Sequence, residues 1–338
     1  MIDWITALIP FNHQFLNAGR IISLDGNGSE EWNSVKWSHI EGSYSSKIMV
    51  RSEGSDLLGH ASHLRISGNP AKFLQGHNVF GSDDLPSLMI QTVNQLCNIL
   101  DLNLNDVDRK QIKSGEYDVS RIDINYGYHL KTRSEVKAWI RAMEFKSTTR
   151  SGRPRMKGTT LYFMPNSRRW SIKFYNKGDE IEAKGHQLSD HLLTSPIPAF
   201  ADNLLRCELT LRTTELGDIN CKRAKFLTPI KLKELYSSYL GRIDMHAQLD
   251  LSNEIVHQLR RPIQATYLLW KDGCDLRHTM KETTFYAHRK ELLSYNIDIS
   301  NQPDNITHMS NVVPLIRVLE AQPVSTPNWA YKLGLVAG

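Results

Sequence analysis

The sequence predicts an α+β protein: a central antiparallel β-sheet with helices on one face, followed by a mainly helical C-terminal region. Three observations carry this. Four segments alternate apolar and polar residues with the period of two that a strand imposes: Ser120–Tyr128, Thr159–Phe163, Trp170–Glu180 and Leu204–Arg212. One side of these segments is apolar and the other polar, charged in three of the four, the signature of an antiparallel sheet with one solvated face. From about residue 220 the spacing of apolar residues changes to that of helices.

Each element can be justified in chain order. The start, MIDWITALIPFNH, reads as a first strand; it carries Asp3 and no basic n-region, so it does not read as a signal peptide. Residues 1 to about 68 form short strands with Gly and Ser turns. Asn69–Gly81, NPAKFLQGHNVFG, is compact and turn-rich; two readings stand equal, an approach to DNA through Lys72, His77 and Asn78, or a loop shaped by Gly76 and Gly81 that buries Phe73, Leu74 and Phe80. Leu85–Leu100 has helical spacing, and Ser134–Met143 is a second helix crossing between strands. MPNSRR is a turn pairing Thr159–Phe163 with the next strand, and Asp190–Pro198 is a loop leading into Leu204–Arg212. Thr228-Pro229 opens a helix with Thr as N-cap and Pro in its first turn. Pro262 breaks the helical stretch Glu254–Trp270. Leu276–Met280 and Thr283–Leu293 form either a helix-turn-helix or a small bundle, and Asn311–Arg317 reads as a terminal strand returning to the sheet. The expected division is a sheet-bearing domain over 1–219 and a mainly helical region over 220–338.

Composition excludes more than it selects. The chain has 338 residues and 41 Lys+Arg against 36 Asp+Glu, a mild basic excess that suits an anionic polymer without requiring one. No run of about eighteen apolar residues exists, so no membrane span is expected. The four cysteines form no C-x-x-C pair, which excludes zinc-finger and disulfide frameworks and fits a reducing cytoplasm. No G-x-x-x-x-G-K-[ST] loop is present.

The chemistry is concentrated on the charged strand faces. WSIKFYNKGDE reads as a strand whose polar side shows Tyr175 between Lys173 and Lys177. Flanking ammonium groups favour a phenolate and attract a phosphate, which is what a tyrosine nucleophile needs. Asp123 on one strand and Glu208 on another, with Asn125 between strands, form an oxygen-rich set for a hard divalent cation; Asp179 and Glu180 are further candidates. Cross-strand Arg–Glu pairing would explain the same acids without chemistry. No His-x-His triplet occurs, and His60 and His63 are the closest pair, so the cation would be Mg2+ or Mn2+. Arg121, Arg206 and Arg212 would hold backbone phosphates. The basic stretch Thr148–Gly158 adds Arg150, Arg153 and Arg155 as a mobile loop tracking DNA. In the helix-turn-helix reading, Thr284, His288, Arg289 and Lys290 face the duplex.

Five stretches, NPAKFLQGHNVFG, SRIDINYG, GTTLYF through FYNKGDE, LLRCELTLR and NVVPLIR, give the chain a resemblance to the gene II/gene X type of filamentous-phage rolling-circle replication initiators. They span most of the chain in the family's order, and the first is the most specific. The resemblance implies that Tyr175 is the nicking tyrosine and that Asp123 and Glu208 are the family's acidic pair. It implies a metal-dependent nickase acting on double-stranded origin DNA and single-stranded DNA. Attack would leave a 5′-phosphotyrosine and a free 3′-hydroxyl, and reversal would reseal the strand. Host polymerase and host helicase would be partners in the bacterial cytoplasm; whether the protein acts as a monomer or homodimer stays open. Two other readings remain: a non-catalytic origin- or single-strand-DNA-binding protein, and a metal-independent tyrosine recombinase or topoisomerase of another fold.

Overall fold

The computed structural model describes residues 1–16, 18–42, 46–55, 58–245, 253–295, 297–300, 318–319 and 322–337. The N-terminal half supplies β1 (Ile2–Gln14), β2 (Arg20–Leu24), β3 (Glu30–Val35), β4 (Ser38–Glu41), β5 (Lys47–Ser55) and β6 (His60–Gly68). Helices α1 (Pro70–Gln75), α2 (Leu85–Leu100) and α3 (Asp106–Lys113) follow. The centre of the chain gives β7 (Asp118–His129), α4 (Arg133–Lys146), β8 (Ser147–Thr149), β9 (Arg155–Lys157), β10 (Thr160–Phe163) and β11 (Trp170–Asn176). Then come α5 (Lys177–Glu182), α6 (Asp190–Leu193), α7 (Ile197–Asp202), β12 (Leu204–Arg212), α8 (Thr213–Asp218), α9 (Pro229–Leu240) and β13 (Ile243–Met245). Helices α10 (Asn253–Gln258), α11 (Arg261–Lys271), α12 (Leu276–Thr279), α13 (Glu282–Leu293) and α14 (Asn328–Lys332) complete the described elements.

Nine strands form one antiparallel sheet in the order β4-β5-β6-β1-β7-β12-β11-β10-β9. Alternation decides which side of each central strand is greasy. Ile122 and Ile124 of β7, Leu209 and Leu211 of β12, and Ile172 and Phe174 of β11 share one face with buried residues of α2, α4 and α9. Trp139 of α4 lies 5.2 Å from the Phe174 ring. Burying such side chains stabilises by roughly 1.5–3 kcal/mol each, which fixes the register, because a one-residue slip would turn every one of them outward.

The charged face is not open to water along its length. Helix α1, the loop after it and α5 lie over it, and Asp123, Asn125, Lys177, Arg206 and Glu208 are all buried. The sequence expectation of a solvated face fails here because such short covering segments leave little periodic signal. The basic stretch expected as a mobile loop instead contains β9, the edge strand paired with β10. Helix α9 packs into the main core through Leu232, Leu235 and Tyr236, while a separate apolar cluster begins at Val256 and joins α11, α12 and α13. The C-terminal segment returns to the N-terminal half: Ala330 and Leu335 pack with Val79, Phe80 and Leu192. The expected strand Asn311–Arg317 lies outside the described residues. Among the described residues no helix is long and apolar enough to cross a membrane.

Candidate active site

Two sequence motifs build a cleft of about 810 Å3 over the middle of the sheet. The first is NPAKFLQGHN. Asn69 caps α1, its side chain accepting from the Lys72 N–H at 2.8 Å, and Pro70 occupies the first helical turn, where no N–H is needed. Gly76 ends the helix at φ +83°, a left-handed cap that favours glycine. The chain then doubles back, so that the amides of Asn69 and Asn78 both donate to Asp3 Oδ1, at 2.9 and 2.8 Å. Asp3 reaches this position through a bulge: β1 pairs Ile2 with Ile124 but Trp4 with Asp123, and the extra residue lets Asp3 and Trp4 both line the cleft.

The second motif is FYNKGDE. The strand ends at Asn176, which caps α5 by accepting from the Asp179 N–H at 2.8 Å and donating to the Asp202 carbonyl at 2.7 Å. Gly178 is required because a Cβ there would meet Asp202 Cα at 2.9 Å. Tyr175 is therefore the penultimate residue of the strand, and Lys177 is the first of a helix.

That boundary corrects the sequence reading of Lys177. It does not flank Tyr175 on a strand face; it is wholly buried, donating to Asn78 Oδ1 at 2.7 Å and pairing with Glu180. Burial lowers its pKa, opposed by Glu180. Glu180 would be raised by burial, but Lys177 and His186, 3.0 Å away, hold it far below the usual carboxylate range.

Tyr175 is 6% exposed and its hydroxyl donates to Glu208 Oε2 at 3.3 Å. Lys173 lies 2.8 Å from Glu208 Oε1 and 5.2 Å from the Tyr175 ring centroid. The expectation of a phenolate favoured by positive neighbours is overturned. Burial, then Glu208, Glu180 and Asp3, push the Tyr175 pKa well up, so the resting group is a phenol with a carboxylate at its proton. Burial and the nearby Asp3 and Asp123 push Glu208 upward against the pull of Lys173. Lys173, despite its burial, is held above its ordinary value by Glu208, and the 2.8 Å contact is that of an ion pair.

Asp123 is gripped by Arg121 through two hydrogen bonds of 2.9 and 2.6 Å, and Arg121 lies over the Trp4 ring at 5.4 Å. Asp3, Asp123 and Glu208 thus share one cleft. Their oxygen chemistry and mutual repulsion fit a hard divalent cation. Among the described residues, no group of three or more His, Cys, Asp or Glu is already spaced to hold one. Asn125 does not join this set: its Oδ1 accepts from Arg206 at 2.6 Å, and the side chain borders a different cavity.

The expected DNA contacts divide. Lys72 and Arg121 line the cleft, and Lys47, which sequence reasoning missed, joins them. Arg212 is half-buried and donates to Ser171 at 3.2 Å. Arg206 is buried, with its guanidinium spent on Asn125 and the Asn78 and Val79 carbonyls at 3.3 and 2.5 Å, so it shapes the loop and does not face the cleft. His77 is buried against the Leu335 carbonyl at 2.8 Å, and burial lowers its pKa to about 4. Arg150 and Arg155 are exposed and Arg153 half-buried, its guanidinium pKa lowered by burial to about 10. In the C-terminal cluster Arg289 is clamped by Asp298 at 2.7 Å and His288 by Thr266 at 2.7 Å, leaving Lys290 exposed. The first helix of the expected helix-turn-helix is the single turn Leu276–Thr279. Besides Lys47, the missed residues are Asp3 and Asn69. Asp3 has one signal in the sequence, a lone acid in an apolar strand; Asn69 has the N-cap position before Pro.

Comparison with known proteins decides the family. A family model of the N-terminal region of the phage replication-associated protein encoded by gene II matches residues 1–256, and one of that protein's C-terminal region matches residues 251–336. The chain belongs to this family of gene II replication-associated proteins. It is 43% identical over 330 residues to the replication-associated gene II protein of Enterobacteria phage I2-2, covering 97% of this chain and 96% of that protein. It is 29% identical over 324 residues to the corresponding protein of Enterobacteria phage M13, covering 79% and 76%. A rolling circle replication initiator protein from Geobacillus stearothermophilus aligns with a TM-score of 0.37 at 14% identity, covering 75% of this chain and 88% of that one, a likeness too distant to argue from.

Proposed function

We propose that this protein initiates rolling-circle replication by nicking one strand of a specific double-stranded origin through Tyr175 and later resealing it. The observation that carries the reading is the cleft itself. A tyrosine hydroxyl, its carboxylate acceptor Glu208, the ammonium of Lys173 and the acids Asp123 and Asp3 meet in one pocket of a protein of this family.

The phenol oxygen of Tyr175 attacks the scissile phosphorus. The phenolic proton passes to Glu208, already its hydrogen-bond acceptor. The P–O3′ bond breaks, leaving a 5′-phosphotyrosine and, once the leaving oxygen takes up a proton, a free 3′-hydroxyl. Attack by a 3′-hydroxyl reverses the step and reseals the strand, because the phosphotyrosine conserves the phosphodiester bond. Lys173 offers positive charge where the phosphate gains negative charge. Lys47, Lys72 and Arg121 position the backbone on the cleft rim. Asp123 and Glu208, with Asp3, would hold a Mg2+ or Mn2+ ion. When bound, such an ion neutralises phosphate oxygens and makes phosphorus more electrophilic. A host polymerase would extend the 3′ end, and a host helicase would unwind the duplex.

The test is incubation of wild type and Tyr175→Phe with supercoiled cognate replicon DNA and Mg2+. Wild type should yield nicked circles with protein-linked ends; Tyr175→Phe should bind the origin and give neither product. Nicking by Tyr175→Phe would refute the assignment and pass the role to Tyr162, which lines the same cleft. Mapping the adduct to a 5′ end excludes the recombinase reading, and any nicking excludes the pure binder.

A further inference from the structure

Strands β11, β10 and β9 end the sheet on one side, and their register decides which side chains share the face of Tyr175. Leu161 and Phe163 of β10 are buried in the main core, and Met156 of β9 packs against it. Alternation therefore turns Thr160 and Tyr162 of β10, and Arg155 and Lys157 of β9, to the opposite face, the one that carries Lys173 and Tyr175. Tyr162 stands across from Lys173 on one side and from Arg155 on the other. A cation, an aromatic ring and a second cation thus lie in one row over three strands. Tyr162 lines the same cleft as Tyr175. The two are diagonal neighbours across the β10–β11 ladder, a relation in which residues lie roughly 7–8 Å apart.

Beyond Lys173, the nicking reaction leaves this row unused. Among the described residues no hydrogen bond or ion pair engages the side chains of Tyr162, Arg155 or Lys157. Arg155 and Lys157 are exposed, and Tyr162 partly so. Residues 145–178 carry nine Lys and Arg and no Asp or Glu. Cations on an edge strand also discourage another strand from adding, but that role calls for no unpartnered phenol ring in the cleft. Nor does Tyr162 repeat the arrangement of Tyr175, whose hydroxyl has Glu208 as its acceptor. The indole of the cleft, Trp4, is already engaged: Arg121 lies over its ring, and its Nε1 donates to Ser67 Oγ at 3.3 Å.

We propose that Tyr162 is a stacking platform for one base of single-stranded DNA, and that Arg155 and Lys157 hold the phosphates that follow as the strand leaves the cleft over β10 and β9. Side chains stand up from a sheet, so a ring here offers a flat side to an unstacked base. Aromatic rings set among cations are a general means of holding a single strand, because every base has a π-face and every nucleotide a phosphate. A duplex, with its bases stacked on one another, offers none to the ring. Placing this base beside the scissile phosphate rests on the nicking reading; the binding itself does not. A base fixed on Tyr162 limits how far the adjoining phosphate can stray from Tyr175.

The test separates the two claims. The intact chain carrying Tyr175→Phe is titrated with a short oligothymidine that has one central 2-aminopurine; fluorescence reports stacking, and anisotropy gives the Kd. Stacking should quench the fluorescence. Adding Tyr162→Phe, which keeps the ring, should leave both readouts as they are. Adding Tyr162→Leu should restore the fluorescence and weaken binding at least about fivefold. Adding Arg155→Ala with Lys157→Ala should keep the quenching at saturation and flatten the slope of log Kd against log salt by roughly 0.7 per residue. Thermal melting checks that each variant is folded, and Tyr162→Thr, a strand former, replaces Tyr162→Leu if that variant is not. Unchanged quenching and Kd in the folded ringless variant overturn the platform. Equal losses in Tyr162→Phe and Tyr162→Leu overturn it as well, since the hydroxyl would then be the group that acts. An unchanged salt slope removes Arg155 and Lys157 from the path of the strand. Nicking by the Tyr175-containing protein is scored in parallel: its absence strikes the proposed function, while quenching and Kd decide this inference.

Discussion

Replacing Lys177 with methionine separates a structural lysine from a catalytic one. The ammonium is fully buried and makes two contacts, to Asn78 Oδ1 at 2.7 Å and to the Glu180 carboxylate. Methionine keeps the volume and removes the charge, leaving Glu180 and Asn78 short of a donor. Breaking one partner of a buried ion pair costs about 3–5 kcal/mol. Glu180 keeps His186 at 3.0 Å and some exposure, which places the expected loss at the low end, about 3 kcal/mol. At roughly 2 °C per kcal/mol for a chain of this size, Tm should fall by about 6 °C. The loss is local, because the contact ties α5 to the turn that carries Asn78. Asn78→Ala should therefore be non-additive with Lys177→Met, with a coupling of about 1 kcal/mol or more. Circular-dichroism melting of wild type, the two single variants and the double variant measures both quantities. The sign of the pH dependence follows from Glu180. Its folded pKa is depressed, so the stability it contributes is complete above its unfolded value of about 4.3 and is lost as pH falls below it. Lys177→Met should flatten that acid limb. A variant as stable as wild type that nevertheless fails to nick would refute this reasoning and return Lys177 to the phosphate.

Other contacts lend themselves to equally direct tests. Tyr175→Phe removes one long hydrogen bond, so its stability should change by about 1 kcal/mol or less while the covalent adduct disappears from denaturing gels. Asp3→Asn removes one of the acids beside Glu208, and the Mg2+ concentration for half-maximal nicking should rise about tenfold. His77 is buried neutral with a pKa of about 4, below its unfolded value of about 6.5. Its contribution is therefore complete above about pH 6.5 and falls away toward about pH 4 by about 3 kcal/mol, and His77→Gln should lose that slope in pH-dependent melts.

The central sheet is legible in the sequence because its strands alternate without interruption. Leu204–Arg212 forms a strand in the bounds read from its alternation, and Leu85–Leu100 is likewise a helix over the expected residues. Thr228 caps α9 as its sequence requires. Legibility fails where a segment changes state within a few residues. Trp170–Glu180 alternates only as far as Asn176; the N-cap signal of Asn176, three residues ahead of Asp179, competes there with a symmetric Lys-x-Tyr-x-Lys pattern that looks like a continuing strand. It fails again for the arginines, because a sequence gives the face of a residue but not what covers that face. Arg206 points to the predicted side, and there it meets a turn in place of DNA.

If Tyr175 is the nucleophile as proposed, the same covering sets the conditions under which it attacks. A phenol whose pKa is raised by burial and by acids attacks poorly as it stands, and five acids, Asp3, Asp123, Asp179, Glu180 and Glu208, line the cleft with four lysine and arginine side chains, Lys47, Lys72, Lys173 and Arg121. Any phosphate that enters brings still more negative charge beside Asp3, Asp123 and Glu208. A divalent cation would offset that charge and would compete with Arg121 for Asp123. Freed from Asp123, Arg121 would stand at the cleft rim with an unused planar fork suited to phosphate. Metal and DNA should therefore bind with positive coupling through Arg121, and Arg121→Lys, which lacks the fork, should weaken that coupling more than it weakens either ligand alone. Titrating Mg2+ with and without a single-stranded oligonucleotide measures it, and equal Mg2+ affinity in both conditions for the wild type would show that the cleft's acids and its arginine act independently.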